Sequence, residues 1–200
     1  MLFRSECVRT LTGCGELAEL AIHHGKNSSV IALPGGRFQL VVAPQAAEAL
    51  TQRLIAAGCI PGNGDVWRLT DIRAGIPWIS AATQEEFVLQ MANLDLIGGV
   101  SFTKGCYPGQ EIVARTRYLG KVKRRTLRAR CASAVQAGQE VFSPEMNGQP
   151  SGKVLQAAPA GAGNFEMLIA VQLSSVAHGL HLVAADGPAL ELLPLPYPIE

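Results

Sequence analysis

Arg124-Arg125-Thr126-Leu127-Arg128-Ala129-Arg130-Cys131 is the stretch that decides how the second half of the chain folds. Arg124, Thr126, Arg128 and Arg130 alternate with Arg125, Leu127, Ala129 and Cys131. Successive side chains of a strand point to opposite faces, so this spacing predicts a strand with a basic row on one face and mostly apolar groups on the other. The later runs 140–142, 152–157, 166–172, 180–184 and 189–193 are also short and apolar, and Gly, Pro, Asn or Ser separates them. Short strands with such turn signals predict a small barrel or sandwich from Tyr118 onward, with Gly120 as a hinge between the two halves of the chain.

The basic row belongs to a larger local excess. No acidic residue occurs between Ile112 and Gln139, yet eight of the 17 Lys and Arg residues fall there, although the net charge is only +1. One reading is a solvated strand whose charges discourage edge-to-edge pairing. The other is a contact surface for phosphate, polyglutamate or RNA. RNA readers add aromatic groups for base stacking, and only Tyr118 is at hand, so the solvated strand is preferred and direct nucleic-acid binding is not expected.

Upstream lies Lys104-Gly105-Cys106-Tyr107-Pro108-Gly109-Gln110-Glu111, continuing through Ile112-Val113-Ala114-Arg115. Pro108 suits the first position of a helix, so a short helix is predicted from Pro108 to Arg115. Cys106 would then lie near the amide groups of the helix start, where positive potential favours thiolate over thiol, with Lys104 adding a second charge. A free cysteine is ordinarily a small buried hydrophobe. A core cysteine does not usually sit in a polar Gly-Pro-Gly loop, which makes Cys106 the candidate reactive thiol.

Before that loop, Thr83-Gln84-Glu85-Glu86 fits a capping box and predicts a helix from Gln84, with Phe87, Met91 and Leu94 on one core-facing side. Further back, a hairpin is expected over 28–33 and 37–43 around Pro34-Gly35-Gly36, then an amphipathic helix over 45–57 and a strand over 66–72. That succession suggests an open-faced α+β sheet. Residues 16–23 are read as a short helix ending at His23-His24. Gly13-Cys14-Gly15-Glu16-Leu17-Ala18 imitates a dinucleotide fingerprint without a buried strand before it, and is set aside as accident. His178 and His181 lack a nearby carboxylate or cysteine and are read as surface residues rather than metal ligands.

Two hundred residues at 48% hydrophobic can bury a sizeable core. No apolar run approaches the roughly 20 residues of a membrane span, and Met1-Leu2-Phe3-Arg4 leads into polar residues rather than a signal core, so a cytoplasmic protein without membrane contact is expected. The five cysteines are odd in number and contain no Cys-x-x-Cys pair. Five reduced thiols are therefore expected rather than a disulfide framework, a zinc knuckle or a self-contained iron–sulfur ligand set.

The loop also carries a resemblance. Lys104-Gly105-Cys106-Tyr107-x-Gly109-Gln110-Glu111 resembles the signature of the YgfZ family of folate-binding proteins, relatives of the glycine-cleavage aminomethyltransferase or T-protein. Ala74-Gly75-Ile76-Pro77, Asn93-Leu94, Gly98-Gly99-Val100-Ser101-Phe102 and Leu193-Pro194-Leu195-Pro196-Tyr197 resemble its flanking stretches. The likeness runs from about Pro34 to the C-terminus.

The resemblance implies an α+β, T-protein-like architecture. Residues 1–72 would be part of a ferredoxin-like middle domain, 73–118 a signature segment packing at the folate cavity, and 119–200 a C-terminal β-barrel. The family's N-terminal domain, which holds the T-protein's catalytic acid, is expected to be absent. Aminomethyl transfer is therefore an alternative, and an RNA-contact module a second. The main function implied is a non-enzymatic, folate-binding accessory factor for iron–sulfur cluster assembly or repair. It would serve iron–sulfur client or assembly proteins such as the radical methylthiolases that modify tRNA.

By the same resemblance Cys106 is the functional thiol, aided by Lys104, and a transient iron–sulfur ligand rather than a firm metal site. Asn93, Tyr107, Gly109, Gln110, Glu111 and Arg115 would face tetrahydrofolate or a folate derivative. Two positions depart from the pattern. Arg73 stands where many relatives have a Glu that grips a pterin edge, and arginine cannot accept those bonds. Leu89 replaces a proline, which alters only local backbone restraint.

Overall fold

The computed structural model describes residues 5–105, 111, 113–115 and 122–199. The chain divides into two units between Trp67 and Arg68.

In the first unit, helix α1 (Ser5–Thr12) precedes strands β1 (Ile22–His24), β2 (Ser28–Leu33) and β3 (Arg37–Val42), which form an antiparallel sheet in the order β1-β2-β3. The predicted hairpin is present, and its turn places Gly35 and Gly36 at φ 78° and 69°, a region glycine enters at little cost. The register pairs Val30 with Leu40 and Ala32 with Phe38. That face packs with Val8, Cys14, Leu54 and Cys59 into one core. Helix α2 (Pro44–Ala56) matches the helix expected over 45–57, with Pro44 in its first turn.

Two N-terminal expectations are corrected. Residues 16–23 do not form a helix, because Leu20 takes a left-handed φ of 64° and Ile22–His24 pair with β2. His23 and His24 therefore lie in a strand. Residues 66–72 are not a strand either, but belong to helix α3 (Gly64–Arg73). Asn63 Oδ1 accepts the Val66 N–H at 3.1 Å, and Asp65 and Arg73 sit in the first and last turns, where the helix dipole favours them. These end signals outweighed the β-propensity of Val66, Trp67, Thr70 and Ile72.

The second unit is built on a sheet of β4 (Arg124–Cys131), β5 (Glu140–Phe142), β6 (Pro150–Gly161), β7 (Asn164–Gln172), β8 (His181–Leu182) and β9 (Glu191–Leu193). Among the described residues the order is β8-β5-β6-β7-β4-β9, antiparallel throughout. His181 bridges to Ala189, and the same segment runs on as β9 against β4. One short stretch thus links the two sheet edges, and the sheet curls into a half-barrel. The predicted α+β class and all-β C-terminal part are present.

Strand β7 is buried on both faces. Met167, Ile169 and Val171 meet Ala129 and Cys131 of β4 and Leu182 of β8 inside the curl. Leu168 and Ala170 point the other way, onto Leu155, Ala158, Ile72 and Ala92. At Gly152 a Cβ would stand 1.9 Å from Ala170 O, so only glycine lets β6 approach β7 there.

The helix expected from Gln84 is a further correction. A 3-10 turn over Ala81–Thr83, capped reciprocally by Ser80 and Thr83, ends at an extended Gln84. Successive turns follow, with Glu85 at φ 62° and Asn93 at φ 57°, which an α-helix cannot accommodate. No described helix is long and apolar enough to cross a membrane.

Candidate functional site

The turns over residues 88–97 have irregular backbone, so their polar groups need partners that a regular element would supply internally. Buried side chains provide them. Asn93 is fully buried, and its amide acts as a short extra strand for β4: Nδ2 donates to Thr126 O at 2.8 Å and Oδ1 accepts the Thr126 N–H at 3.2 Å. Thr126 Oγ1 donates to Met91 O at 2.8 Å. Arg125 Nη1 donates to Asp95 Oδ1 at 2.7 Å and to Gln90 O at 3.0 Å, with both charged side chains largely out of water. Gln90 Nε2 donates to Val113 O at 2.7 Å.

This cluster gathers stretches far apart in sequence. Tyr197 Oη donates to Gly75 O at 2.7 Å and accepts from Asn93 Nδ2 at 3.5 Å. Gly75 has φ 67°, and a Cβ there would lie 2.6 Å from the Tyr197 ring, so position 75 must be glycine for the C-terminal segment to dock. Burial pushes the Tyr197 hydroxyl up from its ordinary value, with the Asn93 hydrogen bond and the Arg125 charge opposing. It is a neutral phenol that donates to a backbone carbonyl.

Around the loop itself, Lys104, Glu111 and Arg115 are exposed and Gly105 has open space about it. Residues 113–115 are helical, and buried Val113 is anchored by Gln90. Cys106, Tyr107, Gly109 and Gln110 lie outside the described residues. Asn93, expected at the folate cavity, has its amide committed to Thr126. Cys14, Cys59 and Cys131 are buried, and Cys7 donates its thiol to Ala57 O at 3.2 Å. Among the described residues no three His, Cys, Asp or Glu side chains converge as metal ligands would. His181 Nδ1 lies 2.9 Å from Gly187 O.

Arg73 is tied to Glu166. Its Nη2 lies 2.7 Å from Glu166 Oε1, while Arg128 Nη2 lies 2.7 Å from Glu166 Oε2. Burial pushes the Glu166 carboxyl up, but the hydrogen bonds and charges of the two guanidinium groups outweigh it and hold the group below the ordinary carboxylate range. Arg130 pairs with Glu191 at 2.7 Å. Much of the basic row is thus neutralised inside the fold. Arg125, placed with the apolar set by period, is buried on that face, where Asp95 supplies its counter-charge. Lys123 and Arg124 remain exposed and make no ion pair among the described residues.

Those two cations border a cleft of about 350 Å³ beside Gln90 and Gln172, with Val88, Met91 and Val122 as its apolar wall. Gln90 Oε1 is buried, and among the described residues it has no hydrogen-bond partner. Sequence reading passed over Gln90 and Asp95, and took Tyr197 only as part of a resembling stretch. The available signal was two amide residues, Gln90 and Asn93, inside the apolar run Phe87-Val88-Leu89-Gln90-Met91-Ala92-Asn93-Leu94. Compared with models of known protein families, the chain matches none.

Proposed function

We propose that the chain is a folate-binding accessory factor for iron–sulfur cluster assembly or repair, acting through the thiol of Cys106. One observation carries the reading. Ala74-Gly75, Asn93 and Tyr197, three separated stretches that resemble the same family, are joined by hydrogen bonds at one place. Of the helical residues after the cysteine loop, Val113 is anchored by Gln90, three positions before Asn93. In this reading residues 1–72 are part of a ferredoxin-like domain, and the half-barrel is the C-terminal barrel of a T-protein-like architecture.

The residues present fit one end of a folate better than the other. Arg73 directs its donors to Glu166 and offers the pterin edge no acceptor. Gln90 Oε1 and the exposed Lys123 and Arg124 suit the amide and carboxylates of the opposite end. Bound tetrahydrofolate would supply a reduced pterin able to carry one carbon. Lys104 would favour the thiolate of Cys106, which then ligates iron transiently or exchanges with a client disulfide.

The test is the alkylation rate of each cysteine against pH, read by mass spectrometry with and without tetrahydrofolate. Cys106 should react at least about tenfold faster than Cys14, Cys59 and Cys131 below about pH 8, and folate should slow it. Cys106→Ala should abolish support of an iron–sulfur client without altering the fold. A rate like that of the buried thiols, or a fully active Cys106→Ala chain, breaks the reading.

A further inference from the structure

Strand β3 stands at the edge of the three-stranded sheet, and among the described residues its backbone pairs with β2 alone. An open edge offers unpaired N–H and C=O groups to any other strand, and proteins ordinarily blunt it by shortness, charge, proline or a bulge. The other edge strands among the described residues are short. β1 and β9 have three residues each and β8 two, and His181 of β8 is bridged to Ala189. β3 is the exception. It is six residues long and pairs with β2 without a register shift, and Phe38-Gln39-Leu40-Val41-Val42 holds no charge and no proline.

The ladder fixes which groups are free. Ala43 N–H donates to Asn27 O at 2.9 Å. Bonded and non-bonded pairs alternate along an antiparallel ladder. Val41, Gln39 and Arg37 therefore bond to β2, while Val42, Leu40 and Phe38 turn their N–H and C=O groups outward. On the face turned from the core, Gln39 is exposed and Val41 is 55% exposed.

We infer that β3 pairs antiparallel with β3 of a second copy of this chain, about a twofold axis at Leu40. Leu40 then lies opposite Leu40 of the second copy and Phe38 opposite its Val42. Each such pair exchanges two N–H···O bonds through the groups that β2 leaves free. The side chains suit this register. Phe38 and Leu40 belong to the face packed on the core, so apolar groups meet apolar groups across the join. Gln39 faces Val41 and Arg37 faces Ala43, so no like charges stand opposite one another. A second copy presents the same open groups in the same order, as an isologous contact requires. This inference is independent of the reading of Cys106.

The test is sedimentation of the full chain over a concentration series, with amide hydrogen exchange read at the same concentrations. A reversible dimer is expected. The Leu40 and Val42 amides should gain at least about tenfold protection on association, and Gln39, already bonded to β2, should change less. Gln39→Lys with Val41→Lys sets like charges opposite each other on both sides of the axis and leaves the core-facing side chains untouched. That chain should dimerise at least about tenfold more weakly, as should Gln39→Glu with Val41→Glu. An equimolar mixture of the two should recover association as a heterodimer, which chains that had failed to fold would not do.

A wild-type chain that sediments as a monomer throughout overturns the inference. So does a dimer in which Leu40 gains no protection, a dimer that both charged variants retain, or a mixture that stays monomeric. A monomer whose Leu40 amide is protected by an added peptide of the sequence 37–43 overturns the second copy as occupant in favour of a foreign strand.

Discussion

The half-barrel and the turn segment over residues 88–97 belong to the same unit and are held by opposite means. In the half-barrel, alternating apolar side chains such as Val154, Met167, Ile169 and Val171 are removed from water while the strand ladders satisfy the backbone. The turn segment has no ladder of its own. It borrows hydrogen bonds from Asn93, Thr126, Gln90 and the Arg125–Asp95 pair, all at or near full burial. Apolar burial is non-directional and tolerates repacking. A buried polar clamp depends on each partner, because losing one leaves the other unsatisfied.

The contrast is broken most severely at Arg125. Arg125→Leu leaves Asp95 buried without its cation and should cost about 3–5 kcal/mol in urea unfolding. Replacing Asp95 by Leu as well should recover most of that loss. If the single and double variants are equally destabilised, the pair is not the clamp described.

A smaller effect is expected at Asn93. Asn93→Ala removes both bonds to Thr126 and places a side chain with no local hydrogen bond at φ 57°, so about 2–3 kcal/mol should be lost. Amide hydrogen exchange should show Thr126 losing more protection than Met167 in the middle of the half-barrel. Equal loss at both would mean that the segment and the sheet open as one cooperative piece.

The mildest test concerns Glu166, the buried charge on the outer face of β7. Its carboxyl is held below the ordinary range in the folded chain, so its contribution is present above the unfolded value and is lost as pH falls through the lower folded value. Unfolding midpoints measured downward from about pH 5 should therefore fall less steeply for Glu166→Gln than for the wild type. Arg73 is about half exposed, with 49% of its side chain accessible, so solvent screening reduces its share and Arg128 carries more of the effect. Identical pH profiles would show that the triad contributes nothing to acid stability.

Legibility followed the same division. The strands could be read because a period of two is a local property: Val30 and Ala32, or Met167 and Ile169, announce a buried face from the sequence alone. The hairpin at Gly35-Gly36 and helix α2 were legible for equally local reasons, the turn residues and the apolar spacing. Helix α3 was misread although its signals, Asn63, Asp65 and Gly75, were present, because β-branched and aromatic residues filled its middle. The turn segment was misread because Phe87, Met91 and Leu94 do fall at helical spacing, while Asn93 takes its conformation from Thr126, 33 positions later.

The amino-acid sequence by itself determined the strand run of the second half and the first hairpin. Tertiary structure alone decided that Arg125 is buried on Asp95, that Arg73 and Arg128 share Glu166, and that Gln90 holds Val113 with one amide atom and leaves the other open. Hydrophobic period and turn chemistry act over a few neighbouring residues, so they are written along the chain. The partner of a buried charge or amide is set by where the folded chain brings another polar group.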